Sequence, residues 1–230
     1  MTTTLITGAN KGLGLEAARR LVHAGHDVWL GARDVERGRT AAASVGARFL
    51  QIDVTEDASV KAAADTVRAA VGHLDILINN AGVSGGGVPA TDFAADDLRR
   101  VFETNVFGLV RVTHAFLPLL QSAGTPSVIN VSSGLGSFHE TTTTELARSY
   151  GNLGYSTSKT AVTMLTLQYA HAIPGVRFNA VDPGFTATDL NGHAGTQTVT
   201  EGTDAIVRLA TLGAGTPTGT FIDRNGPVAW

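Results

Sequence analysis

Tyr155-Ser-Thr-Ser-Lys159 sets a phenol and a primary amine four residues apart, which puts both on one face of a helix. A free tyrosine has a pKa of about 10, and a neighbouring cation favours the phenolate, moving it toward a value useful for proton transfer near neutrality. The chemistry such a pair offers is acid–base work on a bound oxygen. Taken alone, the spacing is common on helix surfaces, where two solvated side chains have no chemical part.

A second group of residues suits a phosphate. Thr7-Gly8-Ala9-Asn10-Lys11-Gly12-Leu13-Gly14 follows a short apolar run and opens a helical pattern, giving Gly-x-x-x-Gly-x-Gly where strand meets helix. Glycines there admit special dihedrals and let a pyrophosphate approach the helix N-terminus, whose free N–H groups and dipole favour anions. The spacing differs from the Gly-x-Gly-x-x-Gly fingerprint, so the strand-to-helix context carries the reading. At the end of the next strand, where an acid would hold a ribose 2'-hydroxyl, the chain has Gly31-Ala32-Arg33, with Arg37 after it. An acid would repel a 2'-phosphate and Arg can bind it through charge-assisted bonds; with Lys11 as a further cation, the group favours NADP(H) over NAD(H). The alternative use of Arg33, Arg37 and Lys11 is as ordinary solvated charges.

These groups need a frame that brings them together. Apolar runs near 4–7, 27–31, 48–52, 75–79, 127–131 and 176–181, with a seventh near 219–222, alternate with helical patterns over 12–24, 35–44, 56–71, 94–120, 155–172 and 200–210. Near-continuous apolar strands alternating with helices predict an α/β fold, a doubly wound parallel sheet of about seven strands (a Rossmann fold) covered on both faces. Its ligand crevice opens at the C-terminal ends of the strands. No linker or internal repeat divides the chain, so 1–230 is expected to form a single domain that carries its own catalytic residues and substrate loops. The polar stretch 138–150, with its threonine tract, is expected to be a solvated loop or short surface insertion, with a role in substrate access as the alternative.

Composition removes whole classes. In 230 residues there are 27 glycines, no cysteine and 43% hydrophobic residues, with a formal charge of -3. Without cysteine there is no disulfide framework, thiolate metal site or cysteine nucleophile, and a reducing, cytoplasmic compartment is expected. The balance of 17 basic and 20 acidic side chains argues against nucleic acid as a partner. Neither a secretory leader nor a run of about 18 apolar residues is seen, so no membrane association is expected. His23 and His26 straddle a predicted helix end with no third ligand, and no metal site is expected.

The ordered set of the glycine turn, Asn79-Asn80-Ala81-Gly82, Asn105, Ser133, Tyr155/Lys159 and Pro183-Gly184 resembles the short-chain dehydrogenase/reductase family over essentially the full length. Gly-Ala-Asn-Lys-Gly-Leu-Gly-Leu from Gly8 and Ala-Arg-Asp-Val-Glu-Arg-Gly from Ala32 are most similar to its NADPH-dependent carbonyl reductases. The resemblance implies an oxidoreductase that takes a small carbonyl or alcohol substrate. Tyr155 would be the general acid for carbonyl reduction or the base for alcohol oxidation. Ser133 would hydrogen-bond the carbonyl oxygen, with Ser132 as its inert neighbour. Lys159 would hold the nicotinamide ribose and lower the Tyr155 pKa, and Asn105 would anchor a water in the proton relay. The cofactor would supply the hydride. Gly8, Asn10, Lys11, Gly12, Leu13 and Gly14 would cradle the pyrophosphate. Asp53, with Val54 beside it, would contact adenine, although an Asp there can also cap the following helix. Asn79, Ala81 and Gly82 would lie at the adenine ribose, Asn79 also bracing the sheet. Pro183, Gly184, Thr186 and Thr188 would hold the carboxamide and pyrophosphate.

The interval from Ser133 to Tyr155 is wider than the family's usual one, which leaves 138–150 as an insertion; Tyr150 within it lacks a lysine four residues on. The insertion leaves two assemblies open, a homo-oligomer (dimer or tetramer) and a monomer. Two rival functions compete. Gly82-Val83-Ser84-Gly85-Gly86 matches Gly-x-Ser-x-Gly, with Asp182 and His193 following in α/β-hydrolase order, but a nucleophile elbow needs a helix directly after the serine, and Gly87-Val88-Pro89 predicts a loop. The other rival is a non-catalytic NADP-binding sensor on the same fold, against which the joint presence of Ser133, Tyr155 and Lys159 speaks. Substrate-contacting residues are expected within 83–88, 134–139, the inserted stretch 138–150 and 185–195.

Overall fold

Short buried strands alternate with helices throughout the computed structural model, which describes residues 1–145 and 152–230. β1 (Thr3–Ile6), β2 (Asp27–Ala32), β3 (Arg48–Gln51), β4 (Ile76–Asn79), β5 (Ser127–Val131), β6 (Arg177–Val181) and β7 (Thr220–Ile222) form one sheet in the order β3-β2-β1-β4-β5-β6-β7. Every neighbouring pair is parallel. All residues of β1, β4 and β5 are buried, because a strand flanked by helices on both faces has no solvent side.

Successive side chains divide between two cores, as the two-residue period of a strand requires. Ile6 packs with Ala17, Ala18 and Leu21 of α1 (Gly12–His23) and with Ala41 and Ala42 of α2 (Val35–Val45). Its neighbour Leu5 packs on the opposite face with Val60, Ala63 and Val67 of α3 (Asp57–Val71). Small alanines on α1, α2 and α3 let the helices sit close to bulky strand residues. The sheet order reverses direction between β1 and β4, and the loops that leave β1, β4, β5 and β6 converge at that switch point, where a ligand crevice forms.

Three segments differ from the sequence expectation. The single helix expected over 94–120 is α4 (Ala95–Phe102) and α5 (Gly108–Gln121) joined by a wider π-type turn, Glu103–Phe107, which contains Asn105. Such turns occur often at functional sites. The helix expected over 200–210 is divided at Thr203, whose hydroxyl donates back to the carbonyls of Val199 and Thr200 and accepts from Arg20. The stretch read as a loop begins with a helix, α6 (Phe138–Thr143), capped by Ser137 Oγ accepting from the Glu140 N–H at 3.0 Å. The hydroxyls of Thr141, Thr142 and Thr143 are each satisfied within the helix by a bond to the carbonyl four residues back. The rest of the expected insertion, including Tyr150, lies largely outside the described residues. The helix carrying Tyr155 and Lys159 is α7 (Leu153–Ala172); α8 (Val199–Gly202) and α9 (Asp204–Thr211) follow β6.

Candidate active site

The crevice is a cavity of about 570 Å³, within the size range of small-molecule and cofactor sites. At one end lies the turn between β1 and α1. Gly8 adopts φ 62°, and a Cβ on Gly14 would stand 2.5 Å from Asn80 Nδ2 and 2.7 Å from Ala9 Cα, so this backbone admits no side chain. Asn80 holds the turn from the β4 side, its Nδ2 donating to the carbonyls of Thr7 and Gly8 at 2.9 and 3.1 Å. α1 starts with no side-chain cap and no acid in its first turn, which leaves its N–H groups and positive dipole end for an anion.

Of the cofactor residues expected from sequence, all line this cavity except Arg37 and Asn79. Arg33 is exposed on its rim and makes no ion pair among the described residues. Arg37 instead faces Asp34 at 3.8 Å. Lys11 Nζ lies 2.6 Å from Asp189 Oδ2, an ion pair that joins the glycine turn to the loop beyond β6. Asp53 does not cap α3, whose first position is preceded by Glu56. Its carboxylate accepts from the Thr55 N–H and hydroxyl at 3.0 and 2.7 Å. Burial pushes the Asp53 pKa up, but the Thr55 bonds and the charges of Arg33 and Arg111 outweigh it and hold the group below its usual value.

At the other end Ser133, Tyr155 and Lys159 line the same cavity. Asn152 caps α7, accepting from the Tyr155 N–H at 3.0 Å, and one turn later Lys159 Nζ stands 5.5 Å from the centre of the Tyr155 ring. Lys159 is buried, and its ammonium donates to the Val131 carbonyl at 2.7 Å. Burial pushes its pKa down to about 8, with the carboxylate of Asp182 acting in the opposite direction.

The two serines separate cleanly. Ser132 Oγ is buried against the Lys159 carbonyl and Thr163 Oγ1, at 3.1 and 2.7 Å, on the inner side of α7. Among the described residues Ser133 Oγ makes one bond, accepting from the Leu135 N–H at 3.2 Å, which leaves a hydroxyl proton and a lone pair for a bound group.

Asn105 is also buried. Its amide pairs with both backbone groups of Val83, accepting from N–H at 2.8 Å and donating to C=O at 3.0 Å, and it donates to Ser158 Oγ at 2.9 Å. Asn79 braces the sheet as expected, donating to Thr113 Oγ1 and Asn130 Oδ1 at 3.1 and 2.9 Å. Its Oδ1 has no protein partner among the described residues, and the residue lines, with Asn105 and Lys159, a pocket of about 10 Å³, room for one water.

The short chain dehydrogenase family profile matches residues 2–198. The chain belongs to that family. Short-chain dehydrogenase/reductase 1 of Saponaria officinalis is 32% identical, over 96% of this chain and 93% of its own length. The (+)-neomenthol dehydrogenase of Arabidopsis thaliana is 31% identical over 96% and 95%. Among solved structures, the NADPH-bound carbonyl reductase from chicken fatty liver superimposes with a TM-score of 0.90 at 27% identity, covering 100% of this chain and 99% of that one. As a short-chain dehydrogenase the protein is an oxidoreductase of carbonyl or alcohol groups.

Asn80, which the sequence marks only as part of the Asn79-Asn80-Ala81-Gly82 motif, and Asn152, which carries no expected role, also line the short-chain dehydrogenase cavity. Asn152 had a readable signal, a capping residue type directly before the helix of Tyr155. Of the loops expected near the substrate, Val83, Ser84, Leu135, Phe185 and Leu190 reach the cavity, whereas His139 and His193 do not. No helix follows Ser84, and Gly85 and Gly86 have φ of 77° and 78°, so the elbow that a serine hydrolase requires is not formed. No helix among the described residues is long and apolar enough to cross a membrane.

Proposed function

We propose that this short-chain dehydrogenase uses NADPH in preference to NADH and interconverts an aldehyde or ketone with its alcohol through Ser133, Tyr155, Lys159 and Asn105. One observation carries the reading: Ser133, Tyr155 and Lys159 share a cavity whose far end is a glycine cradle at an uncapped helix N-terminus, with the uncommitted guanidinium of Arg33 on its rim. The cradle fits a dinucleotide, because its backbone approaches without side chains and Arg33 is placed for a 2'-phosphate. When bound, a reduced nicotinamide would supply the hydride.

The chain's own residues do the rest. Ser133 donates a hydrogen bond to the substrate carbonyl oxygen, and the Tyr155 phenol transfers one proton to the same oxygen as negative charge develops there. The Lys159 ammonium, fixed by Val131, stabilises the phenolate that remains. A proton would return to Tyr155 past Lys159 from a water held in the pocket lined by Asn105 and Asn79. The loop and cap residues Val83, Ser84, Leu135, Asn152, Phe185 and Leu190 add uncharged lining to the cavity, which suits a neutral carbonyl compound.

The test follows absorbance loss at the reduced nicotinamide band, with NADPH and NADH, across aromatic and aliphatic aldehydes, ketones, diketones and quinones, with Tyr155→Phe as control. NADPH-selective turnover that disappears in the control supports the reading. NADPH binding with no turnover of any carbonyl would overturn it in favour of a cofactor-binding sensor.

A further inference from the structure

The loop after β4 runs along the substrate side of the cavity and is held from three directions. Asn105 pairs with both backbone groups of Val83. Asn152 Nδ2 donates to the carbonyls of Ser84 and Gly86, at 3.0 and 3.2 Å. Val101 of α4 packs so closely that a Cβ on Gly85 would collide with its Cγ2, and a Cβ on Gly154, at the start of α7, would lie 3.2 Å from the same methyl. Val101 thus wedges the loop and the Tyr155 helix against one another.

Both asparagines also reach Tyr155 itself. Asn152 Oδ1 accepts from the Tyr155 N–H, and Ser158 Oγ links Asn105 to the Tyr155 carbonyl, donating to it at 2.7 Å. The amide of Asn152 therefore has both ends in use. Its oxygen caps the helix of the proton donor and its nitrogen holds the substrate-side wall.

We propose that Asn152 is a positioning residue that locks the Ser84–Gly86 backbone to the N-terminus of the Tyr155 helix, making this loop the rigid wall against which a carbonyl substrate is selected by size. Its selection role rests on the carbonyl-oxidoreductase reading above, whereas the locking role does not. Glycines at 85, 86 and 87 give the loop little intrinsic stiffness, so its rigidity must come from these contacts. A wall held to Tyr155 keeps the substrate oxygen within reach of the phenol, and small misplacements of reacting groups are costly in rate.

Asn152→Asp isolates the lock, because the carboxylate still caps α7 while an oxygen replaces the nitrogen that faces two carbonyls. Hydrogen exchange of the full-length protein is expected to speed up by about tenfold or more in peptides spanning 83–88, with exchange in α1 and α5 unchanged. Kinetically, KM is expected to rise more than kcat falls. The kcat/KM ratio between a small and a bulky ketone should change by about tenfold, with NADPH affinity within about twofold of the parent. A residue that only stabilised the fold would lower both ketones' kcat/KM by the same factor and leave the ratio intact. Unchanged loop exchange overturns the lock, even if no carbonyl is turned over; accelerated exchange with an unchanged ratio overturns the selecting wall. Should the aspartate fail to fold, Asn152→Ser, which keeps a short cap and cannot reach the two carbonyls, is read in the same two measurements.

Discussion

Lys159 Nζ donates to the carbonyl oxygen of Val131 at 2.7 Å, which fixes a buried ammonium at the end of β5, immediately before the two serines. The bond orients the charge and meets part of its hydrogen-bonding need, but a buried cation remains costly. That cost appears as the lowered pKa of Lys159.

Titration of this group has a defined sign. Its folded pKa of about 8 lies below the ordinary 10.5, so the unfolded chain binds more protons between those values and stability rises as pH increases through that window. Below about pH 8 the full penalty is present, on the order of 3 kcal/mol from the size of the shift. Lys159→Met is therefore expected to raise the denaturation midpoint at pH 7 and to flatten the rise in stability from pH 8 to 10, while reducing turnover by a factor of 100 or more. Denaturant titrations at several pH values check the first part. In the parent enzyme, kcat/KM for carbonyl reduction is expected to fall above about pH 8 as the ammonium is lost.

Exchanging the two serines for alanine should have opposite signatures. Ser133→Ala removes a hydroxyl with one weak protein bond, so kcat should fall by about 100-fold with little change in melting temperature. Ser132→Ala removes two buried hydrogen bonds while Thr163 Oγ1 keeps its own bond to the Lys159 carbonyl, so stability should fall by about 1 kcal/mol with turnover largely kept. Turnover lost with Ser132 and kept with Ser133 would reverse the assignment.

Arg33 and Arg37 should differ in the same way as their surroundings. Arg33→Ala is expected to weaken NADPH by about 10- to 100-fold with NADH nearly unaffected, the scale of a lost charge-assisted bond. Arg37→Ala, which removes a side chain off the cavity wall, should change either affinity by less than about twofold. Fluorescence titration of both cofactors against both variants reads the difference.

Much of the frame is local in origin and legible without coordinates. Apolar runs bounded by glycine place the seven strands to within a residue or two, and the alternation with helices dictates a parallel sheet. The spacing of Tyr155 and Lys159 is a property of one helix. Where the reading of residues fell short, the missing information was a distant partner. The π-type turn at Asn105 goes with an amide that reaches back to Val83, and helix propensity along 94–120 contains nothing about that loop.

The sequence by itself determined the sheet, the glycine turn and the phenol–amine pair, because hydrophobic period and helical spacing act between residues a few positions apart. Only the tertiary structure decided which serine hydroxyl is tied to buried partners, that Lys11 is held by Asp189, that Arg37 stays off the wall and that Asn152 ties a loop to a helix. Each of those depends on which side chains meet after the chain has packed. A hydroxyl, an amide or a charge takes the nearest partner that burial leaves to it, and that partner is set by the fold as a whole.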